Sequence, residues 1–310
     1  MYMNMINGLG GRSVLTGMLL AVMAAVFFSA KAIFIKLAYR YGVDAVTLLT
    51  LRMAFALPVF VVVAAIERRK SKAVRIGRKQ YISIVALGLI GYYLASMLDF
   101  IGLQYVSAGI ERLILFLFPA FTVLLSALFL GRRIGMAEAV ALILSYIGIV
   151  FAVQQEVSLD GENALFGAIL IFGSTLAYAL YLTGSGELIP RVGSRRFMAL
   201  AMIVSCLAVM MQFVVSRDIS ALLQPLPVYG YGLLIAVFST VLPAFMLASA
   251  IQRIGASHTS IIGGIGPVVT IGLAALFLDE RMSGMQLFGA ALVIAGVLSL
   301  GLAGKRRRAP

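Results

Sequence analysis

Five ionisable side chains, Lys31, Arg52, Asp99, Glu111 and Arg112, stand inside long apolar runs of the chain. In hydrocarbon a charge costs on the order of several kcal/mol unless it is paired or faces water. Each of the five is therefore a candidate for ion pairing, proton uptake or capture of a charged ligand. With three positive and two negative groups, they can nearly neutralise one another, and one reading is a structural ion-pair network. The other is a polar vestibule in which Asp99 or Glu111 takes up a proton, or Lys31 meets an anionic substrate group. Arg112, next to Glu111, serves equally as a partner or a ligand.

Tyr92, Ser96 and Asp99 are spaced i, i+4, i+7, which places them on one face of a helix. Tyr178 and Tyr181 have rings that stack on a ligand or simply pack. Pro119, Pro243 and Pro267 lie within apolar runs, where each removes a backbone donor and favours a kink suited to gating. Cys206, the only cysteine, lies in an apolar run, so no internal disulfide is possible, and its default role is as a small packing residue. His258, the only histidine, excludes histidine-rich metal sites, and no Gly-rich phosphate loop ends in Lys-Ser or Lys-Thr. Neither a cofactor nor a metal is expected.

The elements that position these residues follow from composition. Of 310 residues, 62% are hydrophobic and only 12% charged, with a mean hydropathy of +1.06. No water-soluble fold of this length covers so much apolar surface. The unbroken runs have the length of spanning helices, about 20 residues, and lack the alternation of a transmembrane barrel. Runs interrupted by Gly, Pro or charge predict helices near 14–37, 44–66, 81–103, 107–130 and 136–154, then near 164–185, 197–215, 228–252, 256–278 and 284–303. The first run resembles a signal peptide at Ser29-Ala30-Lys31-Ala32. Only Arg12 precedes it as a positive charge, however, and its apolar part continues past Lys31.

The net charge of +13 is the kind of balance that phosphate binders show, but it is concentrated in the connectors. Counting Lys and Arg with the N-terminus in the cytoplasm puts 18 in inner connectors and tails and 4 in outer ones, leaving Lys31, Arg52 and Arg112 in the helices. Both termini, 1–13 and 304–310, are then cytoplasmic. The partners implied are the lipid bilayer, whose anionic headgroups the Arg68 to Lys79 cluster would touch, and a small-molecule substrate rather than nucleic acid. A homodimer is left open.

Sliding the chain along itself by 148 positions aligns Gln104 with Gln252, Ala108 with Ala256, Pro119 with Pro267 and Gly148 with Gly296. Ala127-Leu128-Phe129-Leu130 then falls on Ala275-Leu276-Phe277-Leu278. The chain is a duplication of five helices, 14–154 and 164–303. Five is odd, so the second copy enters the membrane from the opposite side, and inverted repeats of this kind place a substrate site at mid-membrane between the halves. The offset carries the helical face Glu111, Leu115, Phe118, Thr122 onto Thr259, Gly263, Gly266, Thr270. One wall of a cavity built from these faces is bulky and charged, the other small and neutral. Small residues such as Gly263 and Gly266 also suit close helix packing.

The stretch Gly91-Tyr92-Tyr93-Leu94-Ala95-Ser96-Met97-Leu98-Asp99-Phe100-Ile101-Gly102-Leu103-Gln104-Tyr105-Val106-Ser107-Ala108, followed by Glu111-Arg112-Leu113, resembles bacterial EamA-type members of the drug/metabolite transporter superfamily. So do the helix-centred Pro119 and Pro267 and the sequence Leu278-Asp279-Glu280-Arg281. The resemblance implies an all-α polytopic membrane protein of ten transmembrane helices in two inverted five-helix repeats. It also implies a central cavity lined by helices 1, 3, 4, 6, 8 and 9, and location in the bacterial inner membrane. The implied activity is export or exchange of amino acids, metabolites or drugs by alternating access. One position departs: the acidic residue usual after the fourth helix is Arg132 here, whereas its repeat partner is Glu280.

The substrate-binding or coupling candidates are thus Lys31, Tyr92, Ser96, Asp99, Glu111, Arg112, Tyr181, Thr259 and Gly263, with Pro119, Pro243 and Pro267 as gating residues. A non-transporting scaffold or subunit of the same fold is the alternative, since fold does not determine function. An enzyme would need a His, Asp and Ser cluster at catalytic spacing, which the sequence lacks.

Overall fold

The computed structural model describes residues 11–69, 76–131, 134–160, 162–263 and 265–306. Among these residues all regular structure is helical. The first half holds α1 (Gly11–Tyr39), α2 (Ala45–Arg69), α3 (Arg78–Gly88), a π-helical turn at Leu89–Leu94, α4 (Ala95–Gly102), α5 (Ala108–Leu115), α6 (Phe118–Leu130) and α7 (Met136–Asp160). The second holds α8 (Glu162–Val192), α9 (Ser194–Ser216), α10 (Leu226–Ala236), a second π turn at Val237–Val241, α11 (Leu242–Gly263), α12 (Gly266–Phe277) and α13 (Gly284–Arg306). A short 3₁₀ turn, Ile219–Leu222, lies between α9 and α10.

Seven helical segments are long and apolar enough to cross a membrane: Val14–Tyr39, Ala45–Arg69, Arg78–Gly102, Ala108–Phe129, Glu162–Ser185, Ser194–Ser216 and Leu226–Leu247. Three further apolar helices, Glu138–Gln154, Gly266–Phe277 and Gly284–Ser299, are shorter. Large apolar side chains such as Val62, Ile143, Val214 and Val215 lie exposed on the outer surface, which suits a lipid surround rather than water.

Two expected boundaries are corrected. The fourth predicted helix, 107–130, is broken at Phe116 and Leu117, and the predicted division between an eighth helix ending at 252 and a ninth starting at 256 is absent. Instead α11 continues to Gly263. Both changes follow local chemistry. Pro119 cannot donate to the preceding turn, so the chain restarts as α6 one residue before it, and Pro267 does the same at α12. At the start of α5, Ser107 caps the helix by accepting from Ile110 N–H, whereas its counterpart 148 residues on is Gly255, which has no side chain to cap with.

Element boundaries repeat at the same offset of 148: Arg78 and Leu226, Leu89 and Val237, Phe118 and Gly266, Met136 and Gly284. The contacts repeat as well. α7 packs on α13, its own duplicate, through glycines that admit backbone-to-backbone approach. A Cβ at Gly148 would lie 2.7 Å from Gly289 O, and one at Gly296 would lie 2.8 Å from Ala141 O. Since Gly296 and Gly289 are the counterparts of Gly148 and Ala141, each contact is the image of the other, as across a two-fold axis. The partner number falls as the residue number rises, so α7 and its copy run antiparallel.

Between these elements lie two main apolar clusters. One joins α1, α2, α9 and α10 around Leu48, Leu49, Met53, Phe60, Cys206 and Ile235. The other joins α5, α6, α8 and α13 around Ile110, Leu113, Phe121, Ile171 and Val293. The ionisable residues of the first half sit where α1, α2, α4 and α5 meet the second half.

Candidate functional site

Lys31, near the C-terminal end of α1, is the hub of the site. Its ammonium donates to Asp99 Oδ2 at 2.6 Å and stands 3.0 Å from Glu111 Oε1. The side chain of Lys31 is 14% exposed, that of Asp99 4%, and that of Glu111 wholly buried. A single ammonium thus serves two carboxylates in a nearly dry setting. Asp99 Oδ1 and Glu111 Oε2 meet no hydrogen-bond donor among the described residues, and Glu111 Oε1 has only its ion pair with Lys31. Such under-satisfied polar atoms are costly to keep and mark a place where another donor would be accepted.

Arg112 follows Glu111 on α5 and reaches across to α12. A Cβ on Gly266 would fall 2.6 Å from Arg112 Nη2, so the guanidinium occupies the space that this glycine leaves. Arg112 Nε is buried without a hydrogen-bond acceptor among the described residues. Beside it, the Ser29 hydroxyl lies 2.7 Å from Ala25 O and 3.0 Å from Gly266 O, and Thr270 Oγ1 donates to Ser29 O at 3.2 Å. These bonds tie α1 to α12 close to Lys31.

Arg52, seven residues into α2, is 6% exposed and lies between the halves. Its Nε donates to Thr240 Oγ1 at 3.0 Å, and Nη1 donates to Ser96 Oγ at 3.3 Å, while the guanidinium rests on the Phe100 ring at 5.4 Å. Thr240 belongs to the second π turn and Ser96 follows the first one. Turns of this type inside α-helices occur frequently at functional sites.

Tyr92 and Tyr181 meet edge to face at 4.9 Å, and Tyr181 also stacks with Tyr178 and Phe197, each at 5.9 Å. Tyr181 is buried and lies over Gly91, where any side chain would strike its ring. In this arrangement Tyr181 packs within an aromatic cluster. Pro119, Pro243 and Pro267 are each the second residue of a helix, after the break at Phe116 and Leu117, after the second π turn, and after the break before α12, respectively. Among the described residues no heavy atom lies within 4 Å of the position a Cβ on Gly263 would take. The Thr259 and His258 side chains and Arg132 lie outside the described residues.

A cavity of about 600 Å³ opens at the end of the bundle bearing the α1–α2 connector. Lys36, Tyr39, Arg40, Asp44, Gln104 and Glu280 are among its walls. It stops short of Lys31, the nearest cavity residue on α1 being Lys36. Glu280 binds in two directions: Oε2 accepts from Ala108 N at 2.7 Å, capping α5 from the other half of the chain, and Oε1 pairs with Lys36 at 3.1 Å. Arg40 donates to Leu278 O at 3.4 Å. Asp44 caps α2 by accepting from Val46 N and Thr47 Oγ1, and it pairs with Arg217 at 3.2 Å. Burial pushes the Asp44 carboxyl up, but the Thr47 hydrogen bonds and the Arg217 guanidinium outweigh this and hold it below the ordinary carboxylate range.

The EamA-like transporter family matches residues 15–154 and again 165–302. The chain belongs to this family. An uncharacterized transporter of Bacillus subtilis, YcbK, is 31% identical over 90% of this chain and 90% of its own length. A probable amino-acid metabolite efflux pump of Escherichia coli is 24% identical over 61% of this chain and 66% of its own. A protein of known crystal structure superposes with a TM-score of 0.63 at 16% identity, covering 94% of this chain and 99% of that one, and shares the fold. As an EamA-like chain with seven long apolar helical segments, this is a multi-pass membrane protein of a transporter family, which points to transport rather than to an enzyme.

In sequence, Arg52 stands among the charges in the helices but not among the site candidates. Thr240 is not singled out there, Ser29 figures only in the signal-peptide-like stretch and Thr270 only on the small, neutral face, because a lone hydroxyl in an apolar run carries no signal until its partner helix is known.

Proposed function

We propose that this protein is a secondary transporter that exports or exchanges small metabolites, amino acids or related compounds, by alternating access. In this reading ten helices cross the bacterial inner membrane as two inverted repeats, 14–154 and 164–303, with both termini cytoplasmic. The three shorter apolar helices complete the ten. Support comes from the repeated boundaries, the antiparallel contact of α7 with α13, and the charge bias of the connectors. The name of the Escherichia coli relative supports the substrate class.

The observation that carries the transport reading is the ion cluster of Lys31, Asp99 and Glu111, buried deep in an apolar bundle where α1 meets α12. Ion pairs so placed contribute little stability over apolar packing, and their standing explanation in membranes is a pathway or a proton relay. Asp99 and Glu111 compete for Lys31, so protonating one would release it to the other. Pro119, Pro243 and Pro267 mark the joints at which helices would rock.

The test is flux in proteoliposomes, together with an untargeted comparison of metabolites released by cells with and without the protein. Saturable flux with counterflow is expected. Flux that never saturates would indicate a channel, and no flux at all a scaffold. The scaffold reading has one observation in its favour, namely that the open cavity ends at Lys36 and Tyr39 without reaching Asp99.

A further inference from the structure

Lys31 alone pairs with Asp99 and Glu111, so the five ionisable groups in the helices carry one net positive charge, and of the two arginines Arg52 is the one hydrogen-bonded to both halves of the chain. Among the described residues no carboxylate lies within ion-pair distance of its guanidinium; its polar contacts are the neutral hydroxyls of Thr240 and Ser96. Its exposure of 6% removes the option of leaving the charge to water. Buried cations are paired or functional, and replacing this one by an apolar residue would spare the chain that cost.

The way Arg52 is held shows which part of it is available. A guanidinium carries five N–H donors. One on Nε goes to Thr240, one on Nη1 goes to Ser96, and Phe100 covers a face of the plane. The Nη1 and Nη2 end keeps three N–H groups in the forked geometry that takes both oxygens of a carboxylate. Its three contacts come from both halves of the chain, Thr240 from the second and Ser96 and Phe100 from the first. A ligand bound at the fork would therefore sense their relative movement. The two π turns flank it, and Thr240 occupies the position, 148 residues on, that Tyr92 holds in the first half.

We propose that Arg52, anchored by Thr240 and Ser96 at the junction of the halves, is the residue that binds the carboxylate of the substrate, and that the preferred substrates carry a net charge of −1. The proposal rests on the transport reading and narrows it. One carboxylate brings the five buried charges and the cargo to neutrality. A zwitterion leaves the excess positive charge in place, and a phosphate dianion overshoots it. Lys31 stays with Asp99 and Glu111 and does not compete for the cargo.

The experiment has two arms, so that this proposal and the transport reading fail separately. In the first, proteoliposomes are loaded with a polar metabolite extract of isotope-labelled cells, and the compounds released are identified by mass spectrometry. Wild type, Arg52→Gln, Arg52→Lys and protein-free vesicles are compared. Wild type is expected to release chiefly carboxylates of charge −1. Arg52→Gln should cut that release at least tenfold, and Arg52→Lys, which keeps the charge without the fork, should fall between. Release dominated by zwitterions or cations, or carboxylate release unchanged in Arg52→Gln, overturns the proposal and leaves transport standing.

In the second arm, the melting temperature of the purified full chain in detergent is read in sodium acetate against sodium chloride at equal concentration. Acetate is the smallest monoanionic carboxylate with a carbon side group. A stabilisation specific to acetate that Arg52→Gln and Arg52→Lys lose or weaken is expected. If wild type shows no flux but this shift is present, binding is upheld and transport fails; if the shift is absent in wild type, the binding proposal fails. Should Arg52→Gln not fold, Arg52→Lys and Thr240→Val decide both arms, Thr240→Val keeping the charge while removing its anchor.

Discussion

Gly148 of α7 and Gly289 of α13 meet backbone to backbone. A Cβ on the first would come within 2.7 Å of the second's carbonyl oxygen, and one on the second within 2.5 Å of the first's. A methyl group at either position forces the two helices apart, and overpacking of this kind costs about 1–3 kcal/mol. Gly148→Ala and Gly289→Ala should each lower the melting temperature of the detergent-solubilised protein. Gly272→Ala is the control, since nothing lies within 4 Å of its Cβ position and helix propensity favours alanine by up to about 1 kcal/mol. Equal effects at all three sites would dismiss the close contact.

Removing Lys31 leaves two buried carboxylates facing each other. Breaking a buried ion pair on one side costs about 3–5 kcal/mol, whereas replacing all members by neutral groups is often tolerated. Lys31→Met is expected to reduce folded yield and melting temperature sharply, and Lys31→Met with Asp99→Asn, Glu111→Gln and Arg112→Gln, which removes two charges of each sign, to recover most of the loss. A quadruple variant no better than the single one would show that the cluster does not act as a unit.

Glu280 joins the halves at the mouth of the cavity. Glu280→Ala removes both the cap on Ala108 N–H and the pair with Lys36, and a lost cap costs about 1 kcal/mol. Glu280→Gln keeps an acceptor for Ala108 and loses only the partly exposed ion pair, worth about 0–1 kcal/mol. Alanine should therefore destabilise more than glutamine, as read by thermal unfolding. The reverse order would place the stabilising contact in the charge.

Asp44 supplies a pH dependence of known sign. Its folded-state carboxyl titrates below the unfolded value of about 3.9, so the stabilisation it gives is present above that value and fades as pH falls through the folded one. Melting curves between roughly pH 3 and 5 should show wild type losing stability on acidification more steeply than Asp44→Asn. The difference stays small because the pair with Arg217 is partly exposed, with side chains 35% and 40% accessible. Identical slopes would exclude Asp44 as the titrating group.

What the amino-acid order determined by itself is whatever recurs along one element. Apolar runs of spanning length, the Lys and Arg of the connectors, the 148-residue duplication and the list of charges stranded in apolar surroundings are all local or periodic, and burial and helix period act on them directly. Helix ends were less legible. Pro119 and Pro267 announce breaks, yet the run from 242 to 263 holds no proline after Pro243 and no cap at Gly255, and it stays helical.

Only the tertiary structure decided which charge is satisfied. Lys31 and Asp99 are 68 residues apart, and Arg52 and Thr240 are 188 apart. Whether either pair meets depends on how each helix is rotated and slid against its neighbour, and that is decided by the whole packed bundle rather than by either run. Lys31, for which ion pairing and contact with an anionic substrate group both stood open in sequence, pairs with two carboxylates. Arg52 looked equivalent in sequence, and the packing of α2 against the second π turn leaves it on the hydroxyls of Thr240 and Ser96, with no ion pair among the described residues.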